Sequence, residues 1–184
     1  MMDLMQEKLC TEDDYYNTPE NVHAELIDGK IYYQAAPSRI HQEILNFINY
    51  AILKYIDLKG CRCKVYPAPF AVKLFEDRRN IVEPDISVIC NPDRLTDWGC
   101  SGAPDWIVEI VSPGNPGHDY IRKLNLYANA GVREYWIVNP SDCTVFVYRL
   151  EESKFENISY SFCDDIKAGI FEELFICLQE FGRK

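Results

Sequence analysis

Two hydrophobic periods alternate along the chain, and their order sketches the elements. The short runs Ala24-Glu25-Leu26-Ile27 and Lys30-Ile31-Tyr32-Tyr33 flank Asp28-Gly29. Asp-Gly suits the two positive-φ positions of a tight turn, so this stretch predicts a β-hairpin. From His41 to about Asp57 the repeat lengthens, with Ile44, Leu45, Ile48, Ala51, Ile52 and Tyr55 on one face of a 3.6-residue period. That spacing predicts a long amphipathic helix. Before the hairpin, Thr11 and Asp14 form a capping-box pattern for a short helix from about Glu12 to Tyr16, which Pro19 ends.

Beyond residue 60 the pattern turns β-rich. Lys64-Val65-Tyr66, Phe70-Ala71-Val72-Lys73-Leu74 and Asp85-Ile86-Ser87-Val88-Ile89 read as consecutive strands of one sheet, separated by Pro67, Pro69 and the charged turn Glu76 to Asn80. Trp106 to Val111 is almost wholly apolar, as expected of a strand covered on both faces. After a Pro/Gly-rich loop, Ser112 to Gly117, the residues Tyr120, Leu124, Tyr127 and Ala128 mark a second helix, capped by Asp119 and ended by Gly131. Strands at Glu134 to Val138 and Thr144 to Tyr148 follow, with strand-like pieces around Ile158 to Phe162 and Ile170 to Leu174. The expected fold is α/β (α+β): a mixed β-sheet core flanked by helices, with an N-terminal β-hairpin and extra C-terminal strands. One domain is expected across 1–184, divided into a lead-in (1–20), a core (21–150) and a C-terminal strand extension (151–184).

Composition narrows this picture modestly. At 184 residues, 47% hydrophobic and 26% charged, the chain can bury a core without staples. No apolar run approaches the roughly 20 residues of a spanning helix, which leaves a cytoplasmic protein with no membrane partner as the expectation. Eight scattered cysteines read as free thiols, since Cys61-Arg62-Cys63 lacks zinc-ligand spacing. The net charge of −10 argues against nonspecific binding to nucleic acid. Carboxylates that hold a metal would account for part of that charge.

Two acids stand out because they interrupt apolar strands. Asp85 opens a strand directly after Pro84, and Glu109 lies between Val108 and Ile110. A carboxylate in such a place costs desolvation energy unless a cation compensates it. That cation can be a buried Lys or Arg, or a divalent metal, and spacing alone leaves both open. A metal-free carboxylate pair, as in a glycosidase, is a third reading with no further motif behind it.

Pro84-Asp85, then Glu109-Ile110-Val111, then a helix containing Lys123, resemble the PD-(D/E)XK nuclease superfamily. More narrowly, Glu25-Leu26-Ile27-Asp28-Gly29, Pro67-Ala68-Pro69-Phe70, Gly102 to Trp106 and Ala130 to Val138 together resemble the Uma-two family of restriction-endonuclease-like proteins. The resemblance runs from about Thr11 to Leu150. It implies a restriction-endonuclease-like fold and metal-dependent hydrolysis of DNA phosphodiester bonds, with Mg²⁺ (or Mn²⁺) as cofactor. Asp85, Glu109 and the Ile110 backbone carbonyl would hold the metal. Val111 departs from the superfamily pattern, which has lysine there, and Lys123 is the candidate replacement from the neighbouring helix. Glu25, His41 and Asp119 are weaker candidates for accessory roles. The implied partner is DNA, and a homodimer follows by analogy with related nucleases. The competing expectation is an inactive nuclease fold that serves as a nucleic-acid- or protein-binding module.

Overall fold

The computed structural model of the chain describes residues 9–19, 21–112, 118–151 and 154–182. A short helix, α1 (Glu12–Tyr16), is followed by the hairpin strands β1 (Ala24–Ile27) and β2 (Lys30–Tyr33) and by the long helix α2 (Arg39–Lys59). Strands β3 (Lys64–Pro67), β4 (Val72–Lys73), β5 (Ile81–Val82), β6 (Ile86–Ile89), β7 (Leu95–Thr96), β8 (Gly99–Ser101) and β9 (Trp106–Ile110) come next. Helix α3 (His118–Ala130) then leads to β10 (Glu134–Asn139), β11 (Thr144–Glu151), β12 (Lys154–Ser161), β13 (Ile166–Lys167) and β14 (Phe175–Ile176).

The local signals act as their chemistry requires. Asp28 and Gly29 take φ values of 50° and 76°, and Ile27 pairs with Lys30 across the turn. Thr11 N–H donates to the Asp14 carboxylate at 2.8 Å. Ser38 caps α2 by accepting from His41 N–H, and Gly60 ends the helix in the left-handed region at φ 60°. Both adjustments let a 21-residue helix begin and end cleanly.

The architecture is mixed α+β, with two six-stranded sheets in place of one continuous core sheet. The first has the order β2-β1-β5-β4-β8-β7, and the second β12-β11-β10-β9-β6-β3. Strands β3 and β6 do pair, antiparallel, but β4 leaves them for the first sheet, where it lies parallel to β8. The apolar pattern gives each strand its period but not its neighbour. Ile170 to Leu174 forms a turn between β13 and β14 rather than a strand.

The second sheet is the middle layer. One face, with Ile86, Val88, Trp106, Val108, Trp136 and Val138, packs under Ile44, Ile48 and Ile52 of α2. The other, with Ile89, Ile107, Tyr135 and Ile137, meets Leu126 and Tyr127 of α3 and Ile27, Val72 and Val82 of the first sheet. Strand β9 is buried at every position because it lies between these two cores. Glu109 follows Ile107 by two residues, so its side chain enters the second core.

Cys63 and Cys90 are joined by a disulfide, which corrects the expectation of free thiols throughout. The register that pairs Lys64 with Ile89 brings the two cysteines opposite each other one step further on. Among the described residues, no helix is long and apolar enough to cross a membrane.

Candidate functional site

Three elements bring carboxylates to one place. Asp85 stands just before β6, Glu109 near the end of β9 and Glu25 on β1. Antiparallel pairing of Ile86 with Val108 sets Asp85 beside the end of β9, where Ile110 N–H donates to its Oδ2 at 2.7 Å. His41, in the first turn of α2, places Nε2 3.1 Å from the same oxygen. The sequence pattern began the helix at His41; it begins two residues earlier, at Arg39 after the Ser38 cap, and His41 is buried in its first turn.

Lys123 on α3 points into the second core. Its Nζ donates to Glu109 Oε1 at 3.0 Å and to Glu25 Oε1 at 2.9 Å. Tyr127, one helical turn further on, donates its hydroxyl to Glu109 Oε1 at 2.8 Å. Glu25 Oε1 also accepts the Glu83 N–H at 3.1 Å, while the Glu83 carboxylate accepts from the Tyr15 hydroxyl at 2.6 Å. The site is thus braced from the hairpin, both sheets and the helices α1, α2 and α3. Side chains of Lys123 and Glu25 are each only 4% exposed, while that of Asp85 is 17% exposed and forms the side open to solvent.

Two carboxylates, Glu25 and Glu109, therefore share one ammonium in a poorly hydrated space, with Asp85 close by. Burial pushes the Glu109 carboxyl up to about 7, and the nearby charges of Asp85 and Glu25 push the same way against the pull of Lys123. Burial by itself would lower the Lys123 ammonium, but Glu109 and Glu25 outweigh it and hold that group above its ordinary range. Tyr127 is likewise held well above its usual value by burial and by Glu109. Lysine thus stays charged while Glu109 gives up its charge most readily. Because the folded chain holds this proton and an unfolded chain does not, the contribution of Glu109 to stability is fully present below about pH 4.5 and is lost as pH rises through about 7. In urea titrations between pH 4.5 and 8 the wild type should lose roughly 3 kcal/mol relative to Glu109→Gln across that window.

Of the residues expected from sequence, Asp85, Glu109, Ile110, Lys123, Glu25 and His41 are drawn together. Asp119 lies within the first turn of α3, which begins at His118, and so does not occupy the capping position itself. Its side chain lies outside the described residues, as does the loop from Pro113 to Gly117. Arg122 sits over the Tyr32 ring at 4.1 Å. Tyr127 was assigned to the core stripe alone. Its spacing of four from Lys123 was a signal that both share a helical face. Nothing in the sequence pointed to the Glu83 amide.

Among the described residues, no group of three or more His, Cys, Asp or Glu side chains stands ready as a metal cage. The oxygen donors at the site are the Asp85 and Glu109 carboxylates and the Ile110 backbone carbonyl. That set suits a hard divalent cation, which also keeps waters.

Comparisons with known proteins bear on the family and the fold. A family described as putative restriction endonucleases, Uma2, matches residues 11–172. An uncharacterised protein of Synechocystis sp. is 26% identical over 125 residues, 67% of this chain. The match spans 64% of that curated relative's length. A crystal structure of a putative nuclease belonging to DUF820 from Anabaena variabilis has the same fold, with a TM-score of 0.77 and 23% identity. It covers 93% of this chain and 96% of that one. With a family match over most of its length and a shared nuclease-like fold, the chain belongs to the Uma2 family of putative restriction endonucleases.

Proposed function

We propose that this chain is a metal-dependent endonuclease that hydrolyses DNA phosphodiester bonds, with Mg²⁺ (or Mn²⁺) as its cofactor. The observation that carries the reading is Lys123 reaching Glu109 at 3.0 Å from a separate helix. Val111 leaves the usual lysine position without a cation, and Lys123 supplies one. Asp85, Glu109 and the Ile110 carbonyl would hold the metal, and His41 fixes the Asp85 carboxylate or joins the ligand set. When bound, the cation would lower the pKa of a water and offset negative charge on the phosphoryl oxygens.

The chain's own groups divide the remaining work. Glu25 holds the Lys123 ammonium from behind, so it is aimed rather than free to rotate. Tyr127 restrains Glu109 through a single hydrogen bond. The ammonium can then stabilise charge that develops on a non-bridging oxygen, in a space where water does not screen it. His41 keeps Asp85 turned towards the open side.

The test is cleavage of single- and double-stranded DNA by the purified chain in Mg²⁺ or Mn²⁺, beside metal titration by calorimetry. Cleavage by the wild type and its loss in Glu109→Ala are expected. Metal heats should strengthen as pH rises towards 7, because Glu109 must release a proton to bind. Wild-type protein that neither cuts DNA nor binds metal would instead identify a nuclease fold used as a binding module.

A further inference from the structure

Trp98 stands at the tip of the β7–β8 hairpin with 83% of its surface exposed, the highest value among the large apolar side chains of the described residues. The other two tryptophans, Trp106 and Trp136, are fully buried. The tip that carries Trp98 is firmly built. Thr96 Oγ1 accepts from the Trp98 N–H at 3.3 Å and donates to the Gly99 carbonyl at 3.2 Å. Gly99, at φ 150°, lies so close to Ala71 that a Cβ there would stand 2.1 Å from the Ala71 carbonyl oxygen. Cys100 N–H donates to that same carbonyl at 2.9 Å. A side chain other than hydrogen at 99 would push the hairpin away, so the close approach keeps Trp98 in a fixed place.

The anchor is significant because of where it leads. Ala71 ends the segment that leaves β3, and Ala68, three residues earlier, donates its N–H to the Asp85 carbonyl at 3.0 Å. Three residues of chain span at most about 11 Å. The aromatic tip and the candidate metal ligand therefore hang from the two ends of one short loop. Between them Phe70 is stacked on Tyr66, with ring centroids 4.3 Å apart and planes 5° from parallel, which stiffens the loop. At about 3.4 Å of rise per nucleotide, a strand lying across Asp85 reaches the tip within a few nucleotides.

We propose that Trp98 is a stacking platform for an unpaired nucleobase of the substrate strand. This rests on the nuclease reading and narrows it. A base inside a duplex already has both faces covered, whereas an indole needs one face free. The favoured substrate is therefore single-stranded DNA or a duplex with a locally opened segment near the cut. Stacking of this kind tolerates any base, because every base has a π-face.

The experiment combines two readouts in CaCl₂, a cation that takes carboxylate oxygens. Anisotropy of a labelled oligonucleotide of about 20 nucleotides reports binding, and the DNA-dependent change in tryptophan emission that Trp98→Ala lacks reports Trp98, since the other two indoles are buried away from DNA. Single-stranded DNA should quench the emission more than the matched duplex does. Trp98→Ala should weaken single-strand binding about tenfold with an unchanged thermal midpoint, and Trp98→Tyr should recover most of the loss. Binding of undiminished affinity in Trp98→Ala would overturn the platform and leave the nuclease reading intact. No anisotropy change with any DNA would overturn both. A concentration-dependent blue shift without DNA would assign the tip to contact with a second copy of the chain, and so overturn the proposal.

Discussion

Replacing Lys123 by methionine is expected to lower stability by about 3–5 kcal/mol at pH 7.5 and to reduce DNA cleavage at least about 100-fold. The two effects have separate causes. Methionine fills nearly the same volume, so the packing of α3 on the second core is kept. It removes the ammonium shared by Glu25 and Glu109, leaving two carboxylates in a space with little water. A loss of this size is a large share of the 5–15 kcal/mol that typical domains possess. For a chain of this length it amounts to a fall of about 10 °C in melting temperature. The deficit should shrink at pH 5, because Glu109 can then take up a proton. It should shrink further in Lys123→Met with Glu109→Gln, where one of the stranded charges is gone. Urea titrations at both pH values check this. A Lys123→Met chain as stable as the wild type at pH 7.5 would show that the buried ion group is not what the geometry suggests.

Asp85→Asn should give the opposite division, with cleavage down at least about a thousandfold, roughly 4 kcal/mol of barrier, and stability changed by no more than about 1 kcal/mol. The asparagine oxygen can still accept from Ile110 N–H, so the end of β9 stays tied to the start of β6. His41 loses a charged partner but keeps a polar one. What disappears is the negative charge on the open side of the site, where a divalent cation would bind. Calorimetric metal heats should vanish with it. Cleavage that persists in Asp85→Asn would exclude Asp85 as a metal ligand and leave it the structural role of fixing β6 against β9.

The acidity of the chain weighs less against DNA than its total suggests. Acidic and basic residues nearly balance between 21 and 150, and most of the excess lies in the flanks 1–20 and 151–184. In α1, Glu12 and Asp13 are occupied with Lys73 and Arg78, at 3.2 and 2.6 Å. These pairs involve the outer side of the first sheet, because Leu26 and Ile81 pack there against Tyr15, while Glu25 and Ile27 turn the other way. The net charge therefore says little about the face that carries Lys123.

The sequence by itself determined the local elements and the chemistry they could bear. Asp28-Gly29 required a tight turn, the stripe from Ile44 to Tyr55 required a helix, and the unbroken apolar run at Trp106 required a strand covered on both faces. A carboxylate inside that run had to be compensated, which marked Glu109 before any partner was visible. Only the tertiary structure decided which strands are neighbours, that β4 leaves β3 and β6 for another sheet, and that Cys63 meets Cys90. It also decided that Lys123 is shared by Glu25 and Glu109, from a strand 98 residues away and one 14 residues away. The physical reason is the same in each case: periodicity encodes which face of an element seeks burial, but an apolar face carries no address for its partner. That choice comes from packing the whole chain at once, and it turned separate acids into one ion group around a single lysine.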